Sequence, residues 1–338
     1  MKKIKLSRIK EILSRFRDRK ILVYGDLMID EFIFSKVKRI SPEAPVPVAE
    51  VVEKKYRLGG ASNVAANIVS LGGNCLLSGL VGDDGFGRMF SENALGQGIL
   101  IDSIIKDRGR PTTVKTRIIA RNQQIARVDR EKRHEMDEDT LKKMKKTLED
   151  RIKDYEAVII SDYAKGAFSI EISKFIKKIC RENDVITAVD PKIRSRELYS
   201  EIDYLKPNLR EAGMLTDIEI TDEDTLERTG DRLLKQMKSK VLVLTKGKDG
   251  ISVFKKGERF DIPTHARKVY DVTGAGDTTL ATLIMSVLSG ANIMEASMIA
   301  NIAAGIVVGE VGTAKASRDD ILSYCEEYEE EICCFLKR

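Results

Sequence analysis

Short apolar runs alternating with helix-patterned stretches dominate this sequence. Ile21-Leu-Val-Tyr-Gly25 opens the series, and Cys75–Val81, Ile101–Ile105, Ala157–Ile160, Val185–Val189, Tyr204–Lys206 and Val241–Thr245 continue it. Helix patterns start near Phe86 and cover about 137–150, 170–181 and 221–237. Runs this short, apolar on both faces, suit strands covered on both sides. Strand–helix alternation makes successive strands parallel, and right-handed crossovers place helices on both faces of one sheet. The expected fold is therefore α/β with a mainly parallel central sheet. With 338 residues, 42% of them hydrophobic, the chain can close one large domain, and neither a repeat nor a low-complexity linker divides it.

Two segments break the rhythm. In residues 31–58, Phe32-Ile-Phe34, Val46-Pro-Val-Ala-Glu-Val-Val52 and three prolines read as edge strands with turns. Thr113–Ala120 and Gln124–Val128 can join them in a small sheet standing off the main one, its segments spanning about 31–58 and 110–130.

The net charge of +5 is not spread over the chain: residues 1–20 hold nine Lys or Arg against Glu11 and Asp18, which leaves −2 on the rest. A nucleic-acid partner thereby loses its main support. Leu6, Ile9, Leu13 and Phe16 follow helical spacing, so this basic tail reads as a helix docked on residues 21–338 rather than as a membrane anchor. No apolar run reaches a membrane span, and five scattered cysteines without a Cys-x-x-Cys suit a reduced, cytoplasmic protein without zinc. His134 and His265 stand in charged and turn regions and read as surface residues.

Tyr270-Asp-Val-Thr-Gly-Ala-Gly-Asp-Thr-Thr279 carries the chemistry. Gly274 and Gly276 let the backbone turn sharply ahead of the apolar helix segment Leu280–Leu288. Amides that open a helix attract an anion, because their N–H groups are unpaired and the helix dipole is positive there. On residues alone, Asp277 is either a helix cap or a general base that accepts the proton of an attacking hydroxyl beside a bound phosphoryl group. A dinucleotide turn fails, since Gly25 stands alone after the first strand; a P-loop fails around Gly247-Lys248, which lacks the earlier glycine and the following Ser or Thr.

Asp271-Val-Thr-Gly-Ala-Gly-Asp277 resembles the signature of the ribokinase-like (PfkB) carbohydrate kinases. Arg39-Ile-Ser-Pro-Glu-Ala-Pro-Val-Pro-Val48 and Arg121-Asn-Gln-Gln-Ile-Ala-Arg-Val-Asp129 are similar to the kinase domain of bacterial D-glycero-β-D-manno-heptose-7-phosphate kinases. The resemblance runs from about Ile21 to about Ser317 and implies a ribokinase-like three-layer sandwich whose small sheet is a lid and often a dimer contact.

It also implies roles. Asp277 would be the base, with Gly274, Ala275 and Gly276 as the anion hole. Asp26, Asp30, Gly59, Gly60 and Asn63 would meet the sugar, and Arg39, Arg121, Arg127 and Lys165 are candidates for a sugar phosphate. ATP would lie along Lys192, Asn208, Thr245, Lys246 and Gly247, with adenine near Asn301 and Gly305. Asn208 and Glu211 match the family's Asn-x-x-Glu motif near Mg²⁺, Glu211 acting through water; Asp271 and Thr273 resemble positions near a K⁺ ion in some relatives. The implied reaction is ATP-dependent phosphorylation of the C1 hydroxyl of the heptose 7-phosphate. The rivals are a kinase of the same fold acting on another sugar or a nucleoside, and a sugar-phosphate sensor without catalysis. A C-terminal nucleotidyltransferase, fused to many relatives, needs two closely spaced histidines that this sequence lacks.

Overall fold

The computed structural model describes residues 4–121, 123–192, 195–264, 272–309, 314–329 and 336–337. The chain runs through α1 (Leu6–Ser14), β1 (Lys20–Ile40), β2 (Pro47–Gly60), α2 (Ala61–Ser70), β3 (Asn74–Gly82), α3 (Gly85–Gly96), β4 (Leu100–Asp107), β5 (Thr113–Ala120) and β6 (Gln123–Arg130). It continues through α4 (Glu138–Ile152), β7 (Ala157–Ser161), α5 (Ile170–Glu182), β8 (Ile186–Asp190), β9 (Tyr204–Leu205), α6 (Leu209–Thr216), α7 (Glu223–Met237) and β10 (Val241–Thr245). The remainder is β11 (Ile251–Lys255), β12 (Glu258–Ile262), α8 (Ala275–Leu288), α9 (Ile293–Val307), α10 (Arg318–Glu327) and β13 (Leu336–Lys337).

The strand order is β13-β12-β11-β10-β9-β8-β7-β1-β3-β4. From β4 to β10 every pairing is parallel, and β11, β12 and β13 add antiparallel strands at one edge. Alternate side chains of β1 enter two separate cores. Ile21 and Val23 pack with α2, α8 and α9, while Leu22 and Tyr24 pack with α4, α5 and α7. The sheet is thus covered on both faces, and this three-layer ribokinase-like arrangement fills the α/β expectation.

The first strand departs from its short reading. Instead of ending at Gly25, β1 runs on out of the main sheet to Ile40, 21 residues in all. It pairs with β3 as far as Asp26, then with β2 and β5 from Leu27 and Met28 onward. Asp26 and Asp30 thus lie within the strand rather than past its end, each carboxylate bonded to a distant part of the chain. With β6 beside β5, the four strands form the small second sheet.

The basic N-terminal segment is part of the core. Ile9, Ile12, Leu13 and Phe16 are fully buried in the same cluster as α8 and α10, with Leu6 at the edge. Arg8 of α1 reaches Glu295, and Arg19, just before β1, reaches Glu156. Among the described residues no helix is long and apolar enough to cross a membrane.

Candidate active site

The carboxyl ends of β7, β8, β9 and β10 and the start of α8 surround a cavity of about 540 Å³. Gly274 precedes α8 with φ 87°, a left-handed conformation that glycine adopts without strain. The turn swings the chain into the helix so that Ala275 and Gly276 supply its first amides and line the cavity, the Ala275 amide donating to the Val272 carbonyl at 3.3 Å. A side chain at Gly276 would start 3.2 Å from Lys206 Nζ. An ammonium, itself paired with Asp190 Oδ2 at 3.0 Å, therefore lies close to these amides.

Asp277 follows in the first turn and is 5% exposed. Its Oδ2 accepts from Asn63 Nδ2 at 2.7 Å, and Tyr163 Oη donates at 3.3 Å from each of its two oxygens. Burial, then repulsion from Asp190, pushes its carboxyl up to about 7, against the pull of Asn63, Lys206 and Tyr163. A carboxyl poised there is about half ionised at neutral pH, and its ionised form is more basic than an ordinary carboxylate and so better able to take a proton from a hydroxyl. Both first-turn readings are physically compatible, but the side chain is not spent as a cap: α8 has no side-chain cap hydrogen bond from Gly274, and Asp277 points to Asn63 and Tyr163.

Lys192, Asn208, Glu211, Thr245, Gly247, Asn301 and Gly305 all line this cavity with Gly274 to Asp277. Asn208 and Glu211 close a capping box at the start of α6, each side chain accepting from the other's amide, at 2.9 and 3.0 Å. Glu211 also takes Lys192 Nζ at 3.2 Å. Both Glu211 oxygens are thus occupied, which suits a Mg²⁺ held through water better than one held directly. Among the described residues no three His, Cys, Asp or Glu side chains converge as a metal centre. Asn301 donates to the Pro263 carbonyl at 2.6 Å.

Lys246 points elsewhere. Its ammonium is 2.8 Å from Asp261 of β12, in a buried group with Ser252 and Arg259, and it does not line the cavity. It braces the β10–β11 loop instead of offering a free charge to phosphates. Asp271 lies outside the described residues, as does His265; Thr273 is exposed just before the turn.

On the sugar side, Gly59 and Gly60 end β2 where a side chain would collide with Asp30 and with the Asp26 carbonyl. Asp30 accepts from Arg117 of β5 at 2.5 Å. Asp26 is corrected: both its oxygens accept backbone amides, from Tyr163 at 2.8 Å, Lys165 at 3.0 Å and Ala167 at 3.1 Å. It clamps the loop after β7 and, 3% exposed with three amides on it, is committed to the scaffold rather than open to a sugar. Asn63 likewise serves the carboxylate of Asp277 before any sugar.

The four cations proposed for a sugar phosphate are dispersed. Arg39, Arg121 and Arg127 are exposed on the small sheet, Arg121 in a turn with φ 50° and Arg127 paired with Asp129 at 2.9 Å. Lys165 is buried against Glu131. The guanidinium beside Asp30 belongs to Arg117, which sequence reading passed over although its alternation with Lys115 places both on one face of β5. Tyr163, Asp190 and Lys206 were also passed over as site residues. Each follows the end of a strand, the one signal that could have found them.

Comparisons with known proteins bear on the family and the fold. The chain is 40% identical over 305 residues to the bifunctional protein HldE of Helicobacter hepaticus, covering 90% of this chain and 63% of that protein. Against the bifunctional protein HldE of Nitratiruptor sp. it is 41% identical over 313 residues, covering 93% and 65%. The chain thus spans less than two thirds of the length of these relatives. Among solved structures, Arabidopsis thaliana ribokinase complexed with ribose and ATP superposes with TM-score 0.72 at 20% identity, covering 90% of this chain and 98% of that one. Escherichia coli phosphofructokinase-2 in complex with potassium gives 0.76 at 18%, covering 91% and 99%. Residues 18–320 match the pfkB family carbohydrate kinases, and on that match the chain belongs to this family of sugar kinases.

Proposed function

We propose that the protein transfers the γ-phosphoryl group of ATP to the C1 hydroxyl of D-glycero-β-D-manno-heptose 7-phosphate, giving the 1,7-bisphosphate for ADP-heptose and lipopolysaccharide core synthesis. The observation that carries the reaction type is Asp277, a buried carboxylate raised to about 7 one residue past two amides that open a helix. The HldE relatives, about 40% identical over the kinase-matching region, support the heptose as acceptor.

In this reading Asp277 takes the proton of the attacking hydroxyl as the bond to phosphorus forms and the bond to the β-phosphate oxygen breaks. The amides of Ala275 and Gly276 and the ammonium of Lys206 stabilise charge on the transferring group. Mg²⁺, when bound, neutralises the phosphate oxygens; Asn208 and Glu211 would hold it through water. Thr245, Gly247, Asn301 and Gly305 form the ATP wall, and Asp30 with Asn63 orients the sugar.

For the 7-phosphate the candidate cations are Arg117, paired with Asp30, and Lys165, on the loop after β7, while Arg39, Arg121 and Arg127 belong to the outer lid. A K⁺ ion near Thr273 and Asp271 belongs to the same proposal. So does a homodimer through the lid, whose Val51, Val52, Ile125 and Val128 are exposed. The enzyme would work in the cytoplasm. ADP release measured with heptose 7-phosphate, ribose, fructose 6-phosphate and a nucleoside tests the assignment; a clear preference for any of the last three would overturn it.

A further inference from the structure

Asp277 has two neutral donors, and one of them stands in no motif. We infer that Tyr163 is a positioning residue for the base, its phenol fixing the plane of the Asp277 carboxylate for the acceptor hydroxyl; this rests on the kinase reading above.

The observation is geometric. Tyr163 Oη lies 3.3 Å from both carboxylate oxygens, whereas Asn63 holds only Oδ2. One donor leaves a carboxylate free to rotate about its last side-chain bond. A second donor bridging both oxygens removes that freedom, and a fixed base is what an in-line transfer needs.

Tyr163 is itself held from several sides. Its amide donates to Asp26 Oδ2 at 2.8 Å, and the next residue, Ala164, adopts φ 56° while its amide donates to Asp162 at 2.8 Å. Lys192 Nζ sits 5.2 Å from the ring centre, a cation over the aromatic face. The other core tyrosines near this loop spend their hydroxyls on the scaffold, Tyr24 on the Ala167 carbonyl and Tyr199 on Asp162. Tyr163 spends its hydroxyl on the base.

The charged groups around the pair come from separate elements. Asp190 ends β8 and Lys206 follows β9, both acting on Asp277; Asp30 of β1 and Lys192 act on Tyr163. Burial, then the charge of Asp277, keeps the phenol protonated, so it stays a donor throughout the working range. A hydrogen bond donated to the ionised form favours that form. Without it the carboxylate ionises at higher pH and loses its fixed plane.

The test is Tyr163→Phe, which removes one hydroxyl. With a competent sugar, kcat should fall about tenfold, KM for ATP should stay within about twofold, and the acid limb of the pH profile should move up by about one unit. A hydroxyl that merely packs the loop would lower activity at all pH values without moving that limb. A second readout needs no substrate: ¹³C-carboxyl aspartate NMR on the free protein, with the Asp277 signal assigned by D277N. The midpoint of that signal should rise in Y163F; an unchanged midpoint overturns the inference. Should no sugar be phosphorylated, the kinase reading fails while the titration still decides the Tyr163–Asp277 link. If Y163F does not fold, uniform 3-fluorotyrosine supplies a stronger phenol donor and should lower the midpoint; no change again overturns it.

Discussion

Asp277→Asn separates catalysis from stability. Loss of a general base lowers kcat by about 10²–10⁴, with little effect on ATP affinity if ATP is held by the opposite wall. The same substitution should stabilise the fold. The Asp277 carboxyl is raised from an ordinary value of 3.8 to about 7. The folded state therefore binds its proton more tightly than the unfolded chain does. Below about pH 4 this costs nothing; as pH rises towards 7 the buried charge costs progressively more, reaching up to about 4 kcal/mol at pH 8. Asparagine removes that cost and can still accept from Asn63. At roughly 2.1 cal/mol/K per residue, 4 kcal/mol corresponds to a rise in Tm of about 6 °C for a chain this long. The assay is paired: ADP release for kcat, and thermal unfolding at pH 4 and pH 8. A variant with kcat near wild type would make Asp277 a mere first-turn acid. A Tm gain equal at both pH values would remove burial and Asp190 as the cause of the raised carboxyl.

One truncation and two substitutions probe the rest of the molecule. Removing residues 1–18 exposes the pocket of Ile9, Ile12, Leu13 and Phe16, each worth about 1.5–3 kcal/mol buried, so denaturant melts should show severe destabilisation; a stable truncated protein with unchanged KM values would make the segment dispensable. Asp26→Ala leaves the amides of Tyr163, Lys165 and Ala167 without an acceptor, at a cost of about 3 kcal/mol or more, and hydrogen exchange at those amides should rise; retained protection would refute the clamp. Heptose 7-phosphate should be used better than unphosphorylated heptose by about 10² in kcat/KM, and Arg117→Met should erase most of that ratio; equal kcat/KM for the two sugars in the wild type would return the substrate to the wider family.

The Gly-Ala-Gly-Asp turn was legible because its physics is local: two glycines, a reversal and an apolar helix within a few residues. The strand ends were legible too, since apolar runs and their stops are also local. What the sequence hid was which ends meet. Asn63 and Asp277 are 214 positions apart, and Tyr163 and Asp277 are 114 apart. No periodicity records such a meeting, so Asn63 was assigned to the sugar and Tyr163 to nothing. Asp26 misled for the opposite reason. A carboxylate at a strand end looks available to a ligand, but amides 137 to 141 residues later fill it. Arg127 stood out by its motif, yet β6 is an exposed edge strand along its whole length, where an arginine meets water and its neighbour Asp129.

The main sheet and the small sheet share one strand, which makes β1 a lever with its fulcrum near Asp26. Beyond that point 14 residues extend to Ile40, roughly 46 Å at about 3.3 Å per residue. A bend of about 10° at the fulcrum therefore sweeps the far end through roughly 8 Å. The same residue grips the loop that carries Tyr163. The outer strand and the loop beside Asp277 thus meet at a single carboxylate, while the register of β1 against β2 is interrupted farther out, after Phe34 and after Val37.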